Sequence, residues 1–241
     1  VVGGAKLGPV ATEPCFVLVH SPFAGPSTWR EVADSLRGRG HDVIVPALSG
    51  FERGGAPYWE ACVAMVVDAC RGPHRPLALV GHSAAGPLLP ALTRALAGTV
   101  GHVVFADAVM APVAGAAELA PVWMWNRASP LASGGVLPKW SRWWSPGTMA
   151  TLVPDESRRR EIEDEMPELP LDYLEQVLRV PEHWTRQVGC SYVWFSDAHR
   201  DDAGSAAHRS WPVRRVAGGH LHMVVEPEAV ADVLVALCGR S

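Results

Sequence analysis

The sequence contains no apolar run of the roughly 18 residues that a membrane-spanning helix needs, so no spanning segment is expected. It carries little net charge: 25 acidic against 21 basic residues leave a formal −4. No basic stripe marks a surface for nucleic acid or anionic lipid, and neither partner is expected. Lysine is nearly absent, 2 against 19 arginines, which reads as codon bias. Cysteine is scarce and unpatterned. Cys15, Cys62, Cys70, Cys190 and Cys238 are odd in number, scattered, and form no CxxC pair. They read as reduced, buried thiols of a cytoplasmic protein. The opening VVGGAKLGPVATEP lacks the apolar segment of a signal peptide, and residues 1–14 read as a mobile leader. There is no phosphate loop and no dinucleotide fingerprint. Histidines and cysteines lack ligand spacing, so neither a cofactor nor a metal is expected. No internal repeat is present, and nothing in the sequence speaks to oligomeric state.

What is present is a rhythm. The chain has 241 residues, 48% of them hydrophobic, enough for one large domain with an inserted cap. Apolar β-rich runs alternate with helical patterns, the sign of a mainly parallel, doubly wound α/β sheet. Strands are predicted at Cys15–His20, His41–Leu48, Pro76–Ser83, His102–Ala108, Cys190–Ser196 and Pro212–Gly218. Helices are predicted around Trp29–Gly38, Pro57–Cys70, 84–97 (interrupted by prolines) and Pro227–Leu237. The rhythm stops from Ala111 to Gln187, where Pro, Trp and short helical pieces dominate. Residues 15–110 and 188–241 thus read as the sheet domain and 111–187 as a helical cap, too long for an idle loop. The charged run Asp155–Glu168 reads as a solvated helix face with i,i+4 ion pairs.

Two short segments carry chemistry. GHSAAG puts Ser83 at a strand-to-helix turn with small neighbours, Gly81 and Ala85. A nucleophile held at such a turn sits in a strained backbone conformation that only small flanking residues permit. The Ala84 N–H, at the start of the following helix, is a candidate oxyanion donor. Near the other end, GGHLH places His220 after a strand and before the last helix, where a general base is needed. His222 competes with it and reads as a loop or cap-facing histidine in contact with substrate.

From Cys15 onward the chain resembles the α/β-hydrolase superfamily. In that family a Gly-x-Gly-His segment is commonly followed by Pro seven residues past the His, a spacing that Gly218, Gly219, His220 and Pro227 satisfy and His222 does not. The resemblance also implies a carboxylate to orient the base. Counting about nine residues from the start of the next-to-last strand, as most relatives do, lands on His199, with Asp197 two early and Asp201 two late. A minority of relatives carry the acid after the preceding strand, where Asp107 follows an apolar run. An aspartate there is costly to bury unless paired. Asp107 is preferred, with Asp197 the alternative.

The family's oxyanion loop usually reads His-Gly-X, with the N–H of X completing the hole. Here it reads His20-Ser21-Pro22, and Pro22 has no N–H. Either the Phe23 N–H or the Ser21 hydroxyl replaces the donor, or the reaction forms no strong oxyanion, as in the hydroxynitrile lyases of the superfamily. Five of the ten tryptophans fall between Trp123 and Trp144. They either pack the cap onto the sheet or line an apolar pocket, with Trp123, Trp125, Trp144 and His222 as its candidate walls. The resemblance implies a serine hydrolase of an ester, thioester or lactone in a small apolar or aromatic metabolite, such as a natural-product tailoring enzyme. The alternatives are a lyase or cyclase using Ser83 and His220 as acid and base, and a degenerate hydrolase that only binds a ligand.

Overall fold

The computed structural model describes residues 13–72 and 76–239. The expected leader, residues 1–14, lies outside them except for Glu13 and Pro14. The strands are β1 (Cys15–Val19), β2 (Val43–Ile44), β3 (Leu77–His82), β4 (Val100–Ala106), β5 (Gly115–Glu118), β6 (Val136–Leu137), β7 (Leu169–Pro170), β8 (Val177–Val180), β9 (Gly189–Trp194) and β10 (Val213–Arg215). The α-helices are α1 (Arg30–Gly38), α2 (Tyr58–Ala69), α3 (Leu89–Ala95), α4 (Val122–Ala128), α5 (Thr148–Leu152), α6 (Glu156–Glu165), α7 (Arg200–His208), α8 (His222–Val225) and α9 (Pro227–Cys238).

Six strands form one parallel sheet in the order β10-β9-β4-β3-β1-β2. Successive side chains of a strand face opposite ways, so the unbroken apolar runs need cover on both faces. They have it. Val17, Leu79, Val103 and Phe105 pack with α2, α3 and α7 through Cys62, Val66, Leu89, Leu92, Ala203 and Ala206. Phe16, Leu18, Val80 and Val104 pack with α1 and α9 through Val32, Leu36, Val230 and Leu234. Trp29, fully enclosed at the entry to α1, joins the second face. All five cysteines are buried, and burial pushes Cys62, Cys190 and Cys238 up to about 12. Among the described residues no helix is long and apolar enough to cross a membrane.

Several elements differ from the sequence expectation: α7 was not among the predicted helices, and the strand predicted over Pro212–Gly218 keeps only Val213–Arg215. The strand predicted over His41–Leu48 shrinks to Val43–Ile44 at the sheet edge. Pro46 offers no donor to a ladder, and the Leu48 N–H goes instead to His20 Nε2 at 3.0 Å. The helix predicted over 84–97 is split into a 3-10 turn, Ser83–Leu88, and α3, because Pro87 and Pro90 each remove an N–H.

Between β4 and β9 the chain holds α4, α5 and α6 together with two antiparallel ribbons, β5 with β8 and β6 with β7. Only helical pieces were expected there. These strands have two to four residues, too few for an alternating pattern to stand out. The charged face of α6 is also less solvated than expected. Arg160 and Glu156 do pair at i,i+4. Arg158, however, reaches Glu31 and Glu161 reaches Arg30, both across to α1. Glu165 takes the Ser27 N–H at 2.8 Å, at a place where a Cβ on Gly25 would lie 2.2 Å from its carboxylate.

Candidate active site

Ser83 leaves the end of β3 with φ 55, a left-handed conformation that costs a non-glycine residue of order 1–3 kcal/mol. Its surroundings hold it there. The Ser83 carbonyl accepts the Val109 N–H at 3.1 Å, which ties this turn to the loop after β4. A Cβ on Gly86 would stand 2.1 Å from the Val109 carbonyl oxygen, so the close approach requires glycine. Gly81 is tight too, with the Leu89 side chain 3.0 Å from where its Cβ would be.

Asp107 leaves β4 with φ 44 and is fully buried. Its N–H donates to Val193 at 2.7 Å, and the Tyr192 hydroxyl bridges the N–H and carbonyl of Ala108. Both carboxylate oxygens are engaged. Oδ1 accepts the Phe195 and Ser196 N–H groups at 2.8 and 2.9 Å. Oδ2 accepts the Ser196 hydroxyl at 2.6 Å and His220 Nδ1–H at 2.8 Å. Burial alone would raise this carboxyl. The bond and charge of His220, the charge of His199 and the Ser196 bond outweigh it and hold Asp107 down at about 2.

His220 follows β10 on a loop whose glycines are crowded. A Cβ on Gly218 would lie 2.1 Å from the His222 ring, and one on Gly219 would lie 2.9 Å from Leu152. The His220 carbonyl accepts His82 Nε2–H at 2.9 Å. Since Nδ1–H points at Asp107, Nε2 is the acceptor, and the Ser83 hydroxyl donates to it at 2.9 Å. Burial depresses the His220 pKa below 6.5 despite the carboxylate, which leaves a neutral imidazole able to take a proton at neutral pH. The chain Ser83–His220–Asp107 is thus continuous, and it can move the serine proton.

The structure brings Ser83, His220 and Asp107 together and leaves the other acids apart. Asp197 pairs with Arg200 at 2.9 Å on the exterior, and Asp201 is exposed. Ser21 and Phe23 share with Ser83 and His220 the walls of one small recess. The Phe23 N–H donates to Ser21 Oγ at 3.3 Å. His20 braces this loop through a bond from Nδ1–H to the Ser21 carbonyl at 2.8 Å, and burial lowers its pKa to about 4. Ala84 is fully buried beside the serine.

A cavity of about 250 Å³ opens over Ser83. Trp123 and Trp144 line it, with Trp140, Met124, Phe23 and Leu152. Trp125 does not line it; it faces a separate groove with Leu174 and Val177. His222 does not line it either, because its ring covers Gly218 and lies 6.1 Å from Phe195. Three neighbours were not anticipated. Ser196 binds Asp107, Trp140 packs 5.9 Å from His220, and His199 stacks on His220 at 5.0 Å. His199 was the residue on which the count for the acid landed, and that count was the available signal. Asp107, His199 and His220 bring one ligand atom each within 4.8 Å of one another. The hydrogen bonds above already occupy both Asp107 oxygens and both His220 nitrogens, so a cation would have to displace them.

Comparison with known proteins agrees with this fold. The alpha/beta hydrolase family profile matches residues 16–233. An extracellular alpha/beta-hydrolase from a Paenibacillus species, described as structurally and functionally homologous to tobacco salicylic acid binding protein 2, superposes with a TM-score of 0.72 at 21% identity, covering 94% of this chain and 100% of that one. A point variant of polyneuridine aldehyde esterase gives a TM-score of 0.72 at 16% identity over 93% and 99% of the two chains. A His-to-Ala variant of tomato methylketone synthase I, in complex with beta-ketoheptanoate, gives 0.66 at 15% identity over 93% and 96%. A search of curated proteins finds none that matches the sequence. With its profile match spanning nearly the whole chain and a parallel sheet in which Ser83 follows β3, Asp107 follows β4 and His220 comes after β10, this protein belongs to the alpha/beta hydrolase family.

Proposed function

We propose that the protein is a serine hydrolase acting on an ester, thioester or lactone of a small, largely apolar or aromatic metabolite, as in tailoring of a natural product. The observation that carries this reading is the 2.9 Å contact of Ser83 Oγ with His220 Nε2, inside a cavity walled by tryptophans. His220 takes the proton as Ser83 attacks the carbonyl, and Asp107 stabilises the imidazolium. The 250 Å³ of the cavity falls just under the range of about 300–1,000 Å³ typical of drug-sized ligands, which favours a compact acyl group. The segment 111–187 acts as a cap, pinned to α1 through Arg158 and Glu161 and to the turn before it through Glu165.

The oxyanion is held by the Ala84 N–H and the Ser21 hydroxyl. The first amides of a helical turn have no carbonyl behind them, which frees the Ala84 N–H. Ser21 Oγ accepts from Phe23, so its own proton is free for the recess it shares with Ser83. The test is intact-mass analysis after fluorophosphonate treatment. Fast single labelling that vanishes in Ser83→Ala is the expected result. A folded protein that resists both a fluorophosphonate and a smaller sulfonyl fluoride sinks the hydrolase reading.

One observation, Pro22, favours a second reading: with no N–H at the usual donor position, Ser83 and His220 would serve as acid and base of a lyase or cyclase. The fold is shared with a methylketone synthase as well as with esterases. This reading expects Ser83→Ala to retain measurable turnover and generic esters to remain intact.

A further inference from the structure

The machinery above accounts for Ser83, Asp107, Ser196 and His220. It leaves a second histidine–carboxylate pair in the same cavity without a task. His199 Nδ1 lies 2.8 Å from Asp202 Oδ2. Asp202 is itself fixed, since its Oδ1 accepts the Met110 N–H at 2.8 Å from the loop that follows Asp107. The pair is therefore anchored to both β4 and α7. A ring held this way has one orientation.

That orientation faces the reacting atoms. The His199 ring lies nearly parallel to His220, 19° between planes and 5.0 Å between centroids. His199 lines the cavity over Ser83 while only 5% exposed to bulk solvent. With Nδ1 committed to Asp202, Nε2 is the free nitrogen. It has no partner among the described residues, yet it is not among their enclosed, unpaired polar atoms. Apart from the indoles, the polar side chains on this wall are Ser83, His220, Ser196, Thr148 and His199. The first three are tied to the triad. Apolar pockets fix the orientation of their ligands through a few placed polar groups of this kind.

We propose that His199, held by Asp202, is a specificity-determining residue that binds a hydroxyl group carried by the substrate on the carbon next to its reacting carbonyl. The position follows from the stacking. Ser83 lies 2.9 Å from His220 Nε2, and His199 lies one ring-stack away, so a group touching His199 sits beside the carbonyl that Ser83 attacks. The choice of hydroxyl follows from the chemistry of imidazole. A neutral ring with Nδ1–H on a carboxylate presents an acceptor, and a charged one presents a donor. A hydroxyl satisfies both, whereas an amide N–H or a carbonyl satisfies one. A substrate lacking it would leave a desolvated ring nitrogen unpaired, which is how such sites discriminate.

This inference rests on the reading of the cavity as the substrate site, and binding separates it from turnover. Hydrocinnamamide and its α-hydroxy derivative are matched ligands too stable to be consumed quickly. Quenching of tryptophan fluorescence reports their binding, because three tryptophans line the cavity. Wild type is expected to hold the hydroxylated amide about tenfold tighter. His199→Phe should bring the two within about twofold, and Thr148→Val should leave the preference intact. If His199→Phe does not fold, Asp202→Asn serves. Its amide oxygen can still accept the Met110 N–H, but it loses the charge that orients the ring, and the preference should weaken. Equal binding of the two amides by wild type overturns the inference. So does a preference that survives His199→Phe or disappears in Thr148→Val. The 4-nitrophenyl esters of the same two acids then test the hydrolase. A His199-dependent binding preference without ester turnover keeps this inference and removes that reading. Turnover of both esters at equal kcat/KM does the reverse.

Discussion

Asp107 and Asp197 offer the sharpest contrast between single residues. Asp107 is enclosed, accepts four hydrogen bonds and faces His220, while Asp197 sits outside beside Arg200. Asp107→Asn would present an amide to Nδ1 and favour the wrong imidazole tautomer. A loss of about 10⁴ in kcat is expected. Asp197→Asn should leave kcat within about twofold, as for an exposed pair. A reversal of these two results would move the acid to the other strand. The Ser21 hydroxyl carries a second prediction. If it completes the oxyanion hole, Ser21→Ala lowers kcat by about 10²–10³ with KM little changed. A loss confined to KM would mean that Ser21 only shapes the loop. Ser83 and His220 were legible in the sequence because small neighbours and local spacing mark them. Asp107 stayed one of two choices, because the partner that identifies it is 113 residues away. Ser196 left no signal and His199 only the count that landed on it, since their significance comes from contacts across β4, β9 and the final loop.

At the level of elements, the catalytic arrangement depends on two strand ends kept in register by backbone contacts. The Ser83 carbonyl takes the Val109 N–H, and Gly86 packs directly on the Val109 carbonyl. Gly86→Ala would insert a methyl 2.1 Å from that oxygen, where no flexible side chain can move aside. The expected cost is roughly 1–3 kcal/mol, or about 2–4 °C of Tm for each kcal/mol in a chain of this length. Because the displaced backbone carries both Ser83 and the Asp107 loop, fluorophosphonate labelling should also slow by more than about tenfold. A variant of normal Tm and normal labelling rate would show that the two loops are not coupled. The main strands were legible as unbroken apolar runs, and most of the main helices from helical periodicity. The exceptions have local causes. Pro46 shortens β2, prolines split the helix after Ser83, and β5 to β8 are too brief to leave a pattern.

Across the whole molecule, burial of neutral histidines sets the response to acid. His20, His82, His102 and His220 are all depressed below 6.5, in each case first by desolvation. In the unfolded chain these rings bind protons as the pH falls through about 6.5, while in the folded chain they stay neutral. The unfolded state therefore holds more protons, so stability rises with pH across this window and is lost as the solution is acidified. For His20, folded near 4, the window runs from about 6.5 down to 4 and spans roughly 3 kcal/mol. The depressed carboxylates do not mask this. Asp107, Asp155, Glu161 and Glu228 start from 3.8 or 4.5, so their contributions fade from the lower end of the histidine window downward, and in the same direction. Chemical denaturation at pH 7 and pH 5 should thus show a clear drop in unfolding free energy. In His20→Gln the drop should be smaller by up to about 2 kcal/mol, since the amide cannot take up a proton on unfolding. A wild-type curve that is flat between these two values would mean that the buried rings are not neutral. An unchanged drop in His20→Gln would move the effect to His82, His102 and His220 and away from the loop that His20 braces.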